Sequence, residues 1–121
     1  METSSDLLQE IIVGLKEVGT IEACAVVSRD GLVISTDMPE EKKADSLAAM
    51  SATMLGAAET ISMSLGKGLP GRVIVESEDG KLVCTGAGPN AILVVMVQPQ
   101  AGLGLIIVEL EKAASKLKKI V

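Results

Sequence analysis

Apolar positions in this chain recur first at helical spacing, then in short strand-like runs, and the alternation of the two repeats to the end. Leu8, Ile11, Ile12, Leu15 and Val18 predict an amphipathic helix after the capping candidates Thr3, Ser4 and Ser5, with Gly19 as a stop. Ile21 to Ser28 reads as a strand. Arg29, Asp30 and Gly31 turn the chain, and Leu32 to Thr36 returns as a second strand, because Asp-Gly between apolar runs is a hairpin signal. Pro39 opens a long helix to about Leu65, with Glu40 and Glu41 suited to its positive end. Gly66, Gly68 and Gly71 end it and loop back. Three strands follow: Arg72 to Glu78, Lys81 to Thr85 after a turn at Asp79 and Gly80, and Ala91 to Gln98 after the looser turn 86–90. A last helix runs from Leu103 to the C-terminus on a stripe of Leu103, Ile106, Ile107, Leu110, Ala114, Leu117 and Val121.

The order is α-β-β-α-β-β-β-α, an α+β pattern in which tight turns make both strand groups antiparallel. The strand from Ala91 is apolar at nearly every position and should be central, covered on both faces. Arg72, Glu76 and Glu78 place charge on the strand from Arg72, which suits a sheet edge. The chain shows no internal repeat or linker, so residues 1–121 read as one domain.

The long helix is the informative element. On a helical wheel Leu47, Met54, Ala58, Ile61 and Leu65 share one stripe, expected to lie on the domain's own sheet. The opposite side carries Ala49, Ala52, Gly56, Thr60 and Met63, and no charged residue falls between Asp45 and Glu59. A solvent face normally carries Lys and Glu. Gly56 costs about 1 kcal/mol relative to Ala in a helix interior, a cost that close approach of another backbone would offset. The helix therefore reads as buried on two sides, the second by another copy of the chain. The plainer alternative is an uncharged Ala- and Ser-rich surface.

Composition narrows the chemistry. The chain has no Phe, Tyr, Trp or His, so it lacks the stacking platforms of single-strand readers and the imidazole of Ser-His or Cys-His nucleophiles and metal sites. A net charge of −5 argues against a nucleic-acid role. Cys24 and Cys84 each sit in an apolar run and read as small buried hydrophobes in a reducing, cytoplasmic setting. The polar start METSSD does not resemble a signal peptide, and the apolar run Ala91 to Val97 is too short to span a bilayer as a helix. The segment Gly66 to Gly71 superficially suggests a phosphate loop but lacks the Walker order and does not open a helix. Glu59 sits at the flank of the wheel and reads as an exposed or interface carboxylate. Arg29 and Arg72, the only arginines, read as a turn residue and an edge-strand charge rather than as fingers for a partner's nucleotide. No cofactor, metal or catalytic residue is expected.

Four segments together resemble the roadblock / dynein-light-chain domain along nearly the whole chain: ACAVVSRDGLVIST, ADSLAAMSATMLGAAETISMSLGKG, GRVIVESEDGKLVCTGAG and AILVVMVQPQAGLGLIIVELEKAASKLKKI. The resemblance implies a profilin-like five-stranded antiparallel sheet of order 2-1-5-4-3. The long helix would cover one face and the terminal helices the other. With that order the fifth strand separates Cys24 from Cys84, so a bridge between them would have poor geometry. The resemblance further implies dimerisation through paired third strands, here Arg72, Val73, Ile74, Val75 and Glu76, and through the long helices at Ala49, Ala52, Gly56, Thr60 and Met63. Its implied role is a non-catalytic homodimeric adaptor that binds or regulates a Ras-like small GTPase. The alternative is a structural scaffold subunit indifferent to nucleotide state.

Overall fold

Thr3 starts the first helix by a capping box: its Oγ1 accepts from the Asp6 N–H at 3.1 Å, and Asp6 Oδ2 accepts from the Thr3 N–H at 3.2 Å. In this computed structural model, which describes residues 3–121, α1 runs over Ser4–Lys16 and buries Leu8, Ile11, Ile12 and Leu15. The remaining elements are β1 (Ile21–Ser28), β2 (Val33–Thr36), α2 (Glu41–Ser64), β3 (Arg72–Ser77), β4 (Gly80–Gly86), β5 (Ala91–Val97) and α3 (Leu103–Leu117).

The strands form one antiparallel sheet of order β2-β1-β5-β4-β3. β5 lies in the middle, and Ala91, Ile92, Leu93, Val94, Val95 and Val97 are all buried, because apolar residues on both sides of a strand need cover on both sides. Alternation then sorts two cores. Cys24, Val26, Val83, Leu93 and Val95 face α1 and α3 with Ile12, Ile106, Leu110 and Leu117. Val27, Cys84, Ile92 and Val94 face α2 with Ala48 and Leu55. Cys24 and Cys84 are both free, buried and on opposite faces, which separates them more completely than the intervening strand alone.

Three boundaries differ from the sequence reading. α2 begins at Glu41, with Glu40 in extended backbone at its N-cap, so Pro39 precedes the helix instead of opening it. Gly80 pairs with Ser77 as the first residue of β4, so Glu78 and Asp79 form a two-residue turn and Gly80 lies outside it. α3 ends at Leu117, and residues 118–120 continue as a turn that keeps Ile120 and Val121 against the core. The far end of α2 closes as the glycine stop requires. Gly66 has φ +69°, its N–H donates to the Met63 carbonyl at 3.0 Å, and the Lys67 N–H donates to the Ser62 carbonyl at 2.9 Å.

Candidate interaction surfaces

The inner face of α2 is built from small residues. Ala44, Ala48, Ser51 and Leu55 are its buried positions. This corrects the wheel assignment above in part: Leu47 and Met54 of the predicted stripe do pack against the core under α2, as does Ala52 from the other stripe, but the fully buried row lies between the two stripes. Ile61 and Leu65, expected against the sheet, are 59% and 67% exposed. Alanine and serine let the helix sit close to the sheet, and they contribute little to a hydrophobic pattern.

The flank of Ala49 and Ala52 is turned toward the β1–β2 turn. Arg29 and Asp30 occupy that turn, and the Gly31 N–H donates to the Ser28 carbonyl at 3.0 Å. Gly31 has φ +89°, and a Cβ there would meet the Ala49 Cα at 3.2 Å and the Ala52 Cβ at 3.8 Å. Gly31 thus has a reason to be glycine, and Ala52 a reason to be small, within their own domain. Gly56 has none, since a Cβ there would meet nothing within 4 Å.

On the same flank, Glu59 reaches Arg29. Arg29 Nη1 lies 3.0 Å from both Glu59 oxygens, and Nη2 donates to the Gly88 carbonyl at 2.9 Å. A Cβ on Gly86 would fall 2.8 Å from Arg29 Nη2, so that glycine opens the slot the guanidinium occupies. Arg29 is therefore a clamp between α2 and two turns, and Glu59 is a half-buried ion-pair partner rather than a free carboxylate. Sequence reading missed this pair. Its one local signal is that Glu59 alone interrupts the uncharged run of α2.

β2 and β3 are the opposite edges of the sheet, and α2 packs against both of them. The flank of Ile61 and Leu65 carries exposed large side chains, including Met50 about three turns earlier. Thr60 and Met63 are also exposed.

The two edges differ in kind. β2 is four residues long, and its pairing with β1 shifts register between Val26 and Val27, which leaves Ile34 as an extra residue. Such a bulge blunts an edge against further pairing. β3 pairs with β4 without a shift from Arg72 to Ser77, and its outer side is unpaired. Val73 packs toward the α2 side, so Val75 shares that face, in a cross-strand row with Leu82 and Met96. Val75 and Met96 remain exposed there, beyond the cover of α2. Arg72 pairs with Glu111 of α3, which puts Arg72, Ile74 and Glu76 on the opposite face.

The chemistry elsewhere is sparse. Burial raises the Cys24 thiol to about 12, with the Asp37 charge adding to the rise and Lys16 opposing it. Burial also raises Cys84, with the neighbouring Ser51 hydroxyl opposing the rise. Among the described residues no cluster of three or more His, Cys, Asp or Glu is placed to hold a metal, and no helix is long and apolar enough to cross a membrane. The loop 66–71 follows the C-terminal, negative end of α2, where backbone N–H groups do not converge on an anion.

An open, unbulged sheet edge and a helix that is uncharged from Ser46 to Ala58 and carries exposed large side chains are the features of an interaction domain. The chain belongs to the Roadblock/LC7 domain family, whose model matches residues 7–96. It is 33% identical over 112 residues to an uncharacterized protein of Methanocaldococcus jannaschii, MJ0310, covering 93% of this chain and 97% of that one. Among solved structures it is similar to the Roadblock/LC7 domain from Streptomyces avermitilis, with TM-score 0.70, 29% identity and coverage of 90% and 96% of the two chains. A structure of MglB with a tetrameric arrangement superposes with TM-score 0.88 over 99% and 91% of the two chains; at 21% identity that likeness speaks to the fold. The five-stranded order 2-1-5-4-3 and the helix layers implied by the family resemblance are those observed.

Proposed function

We propose that residues 1–121 form a single roadblock-type domain that acts as a non-catalytic homodimeric adaptor and binds or regulates a Ras-like small GTPase. The observation that carries the self-pairing is β3: six residues in regular register on one side, unpaired on the other, with apolar residues on both faces. Two such strands from two copies would extend the sheet and set the two α2 helices on the same face of it. Gly56, Thr60 and Met63 stay available on the helix for either copy or partner. Contiguous uncharged surface of this kind marks protein contact. The absence of histidine from the sequence and two free, buried cysteines fit a binding role in a reducing cytoplasm.

Family membership is the ground for the GTPase. Affinity capture from native lysate, run with GDP and with a non-hydrolysable GTP analogue, tests it. Recovery of a Ras-like GTPase that depends on nucleotide supports the regulator role. Partners held equally in both states would favour a scaffold subunit, and capture of no GTPase would remove the regulator reading.

A further inference from the structure

We infer that β3 pairs with its own copy about a two-fold axis at Ile74. This rests on the homodimer proposed above and fixes how its strands meet. In a symmetric antiparallel ladder, directly opposed residues point to the same face. Arg72, Ile74 and Glu76 share the α3 face, while Val73 and Val75 share the α2 face. The axis must then pass through a residue, because an axis between Ile74 and Val75 would oppose residues from different faces.

Centring the axis on Ile74 opposes Arg72 to the partner's Glu76 twice, Val73 to Val75 twice, and Ile74 to itself. Every pair is complementary. Centring on Val75 opposes Arg72 only to Glu78, a turn residue beyond the strand, and within the strand it sets Ile74 against Glu76 and Val73 against Ser77, apolar side chains against polar ones. Centring on Val73 opposes Arg72 to Ile74 and runs Pro70, which has no N–H, into the ladder opposite Glu76. The edge is thus self-complementary in one register. In that register Arg72 stands between Glu111 of its own α3 and the partner's Glu76, and the row Met96–Leu82–Val75 continues onto the partner's Val73.

The test is charge complementation between two variants. Arg72→Glu and Glu76→Arg each create two like-charge pairs in a homodimer centred on Ile74. Each alone should raise the dimer dissociation constant about tenfold or more. Mixed in equal amounts, the two should recover wild-type affinity as a heterodimer, since both cross-strand pairs become opposite in charge. A mixture as weak as either variant alone overturns the register. Oxidative cross-linking supplies the second reading, against a wild type whose cysteines are buried. Ile74→Cys should link to itself. Val75→Cys should not, because its copies would stand about 8 Å apart, beyond disulfide reach. Cross-linking of Val75→Cys alone moves the axis while leaving the strand-paired dimer standing. Cross-linking of neither, with a dimer by mass, removes β3 from the interface. A folded wild-type monomer removes the homodimer itself.

Discussion

Arg29 and Glu59, thirty positions apart in sequence, form an ion pair in which one guanidinium nitrogen lies 3.0 Å from both carboxylate oxygens. The same guanidinium holds the Gly88 carbonyl, so a single side chain ties α2 to the turns after β1 and after β4. Both partners are half-buried, so the pair is less screened than a surface bridge. Arg29→Ala should cost about 1.5–3 kcal/mol, the range for hydrogen bonds to charged groups. Arg29→Lys should recover little, because one ammonium cannot serve both partners in fork geometry. Urea denaturation of both variants checks this.

Gly86 exists in this arrangement to leave room for Arg29. Gly86→Ala should destabilise the wild type by about 1–3 kcal/mol through overpacking and be nearly neutral when Arg29 is already alanine. A double-mutant cycle gives the coupling directly. Equal costs in both backgrounds would show that the slot does not depend on Arg29.

Gly31 and Gly56 should respond oppositely to alanine. At Gly31 the positive φ and the 3.2 Å approach to Ala49 combine, and the expected loss is about 1–3 kcal/mol. At Gly56 the backbone is helical with open space around it, so alanine should add about 0.5–1 kcal/mol of helix stability. If Gly56→Ala instead weakens self-association, the Gly56 flank contacts the second copy. Thermal unfolding and dimer affinity, measured on the same samples, separate these results.

Much of the fold was legible because its signals are local. The capping box at Thr3, the glycine after α2 and the unbroken apolar run of β5 each specify an element within a few residues. The orientation of α2 was only partly legible: Leu47 and Met54 pack on the core as the stripe predicts, while Ile61 and Leu65 do not. Its sheet-facing row is Ala44, Ala48, Ser51 and Leu55, three of them small, while larger apolar residues sit on a flank. A wheel weighted by hydrophobicity points to that flank, since it cannot know that a second surface is apolar too. The Arg29–Glu59 clamp was invisible for another reason: the residues meet only once the sheet and α2 are in place. The Asp79-Gly80 signal identified a hairpin but set its turn one residue late, because register is fixed by pairing across strands.

Cys24 gives a pH dependence of definite sign. Its thiol is held protonated to about 12 in the fold, against 9.0 for an ordinary thiol. Above 9.0 the unfolded chain releases this proton while the folded chain keeps it, so its stabilising effect is complete below 9.0 and is lost as pH rises toward 12. Urea midpoints should fall between about pH 9 and pH 11, and Cys24→Ala should flatten that fall. Thiol reagents should label neither cysteine in the native state at neutral pH and both after unfolding.

Ile61 separates folding from pairing. It is exposed on its own domain, so Ile61→Glu should change the stability of the single chain by no more than about 0.5 kcal/mol. The same change buries a charge if that flank meets a second copy, and dimer affinity should then fall at least tenfold. Helix content by circular dichroism confirms the fold; sedimentation equilibrium reports the pairing.

Self-pairing through β3 and α2 is the central claim, and the mass of the protein in solution tests it most directly. Size-exclusion chromatography with light scattering at tens of micromolar should give twice the chain mass of 12.5 kDa. A folded protein eluting at 12.5 kDa under those conditions would contradict it.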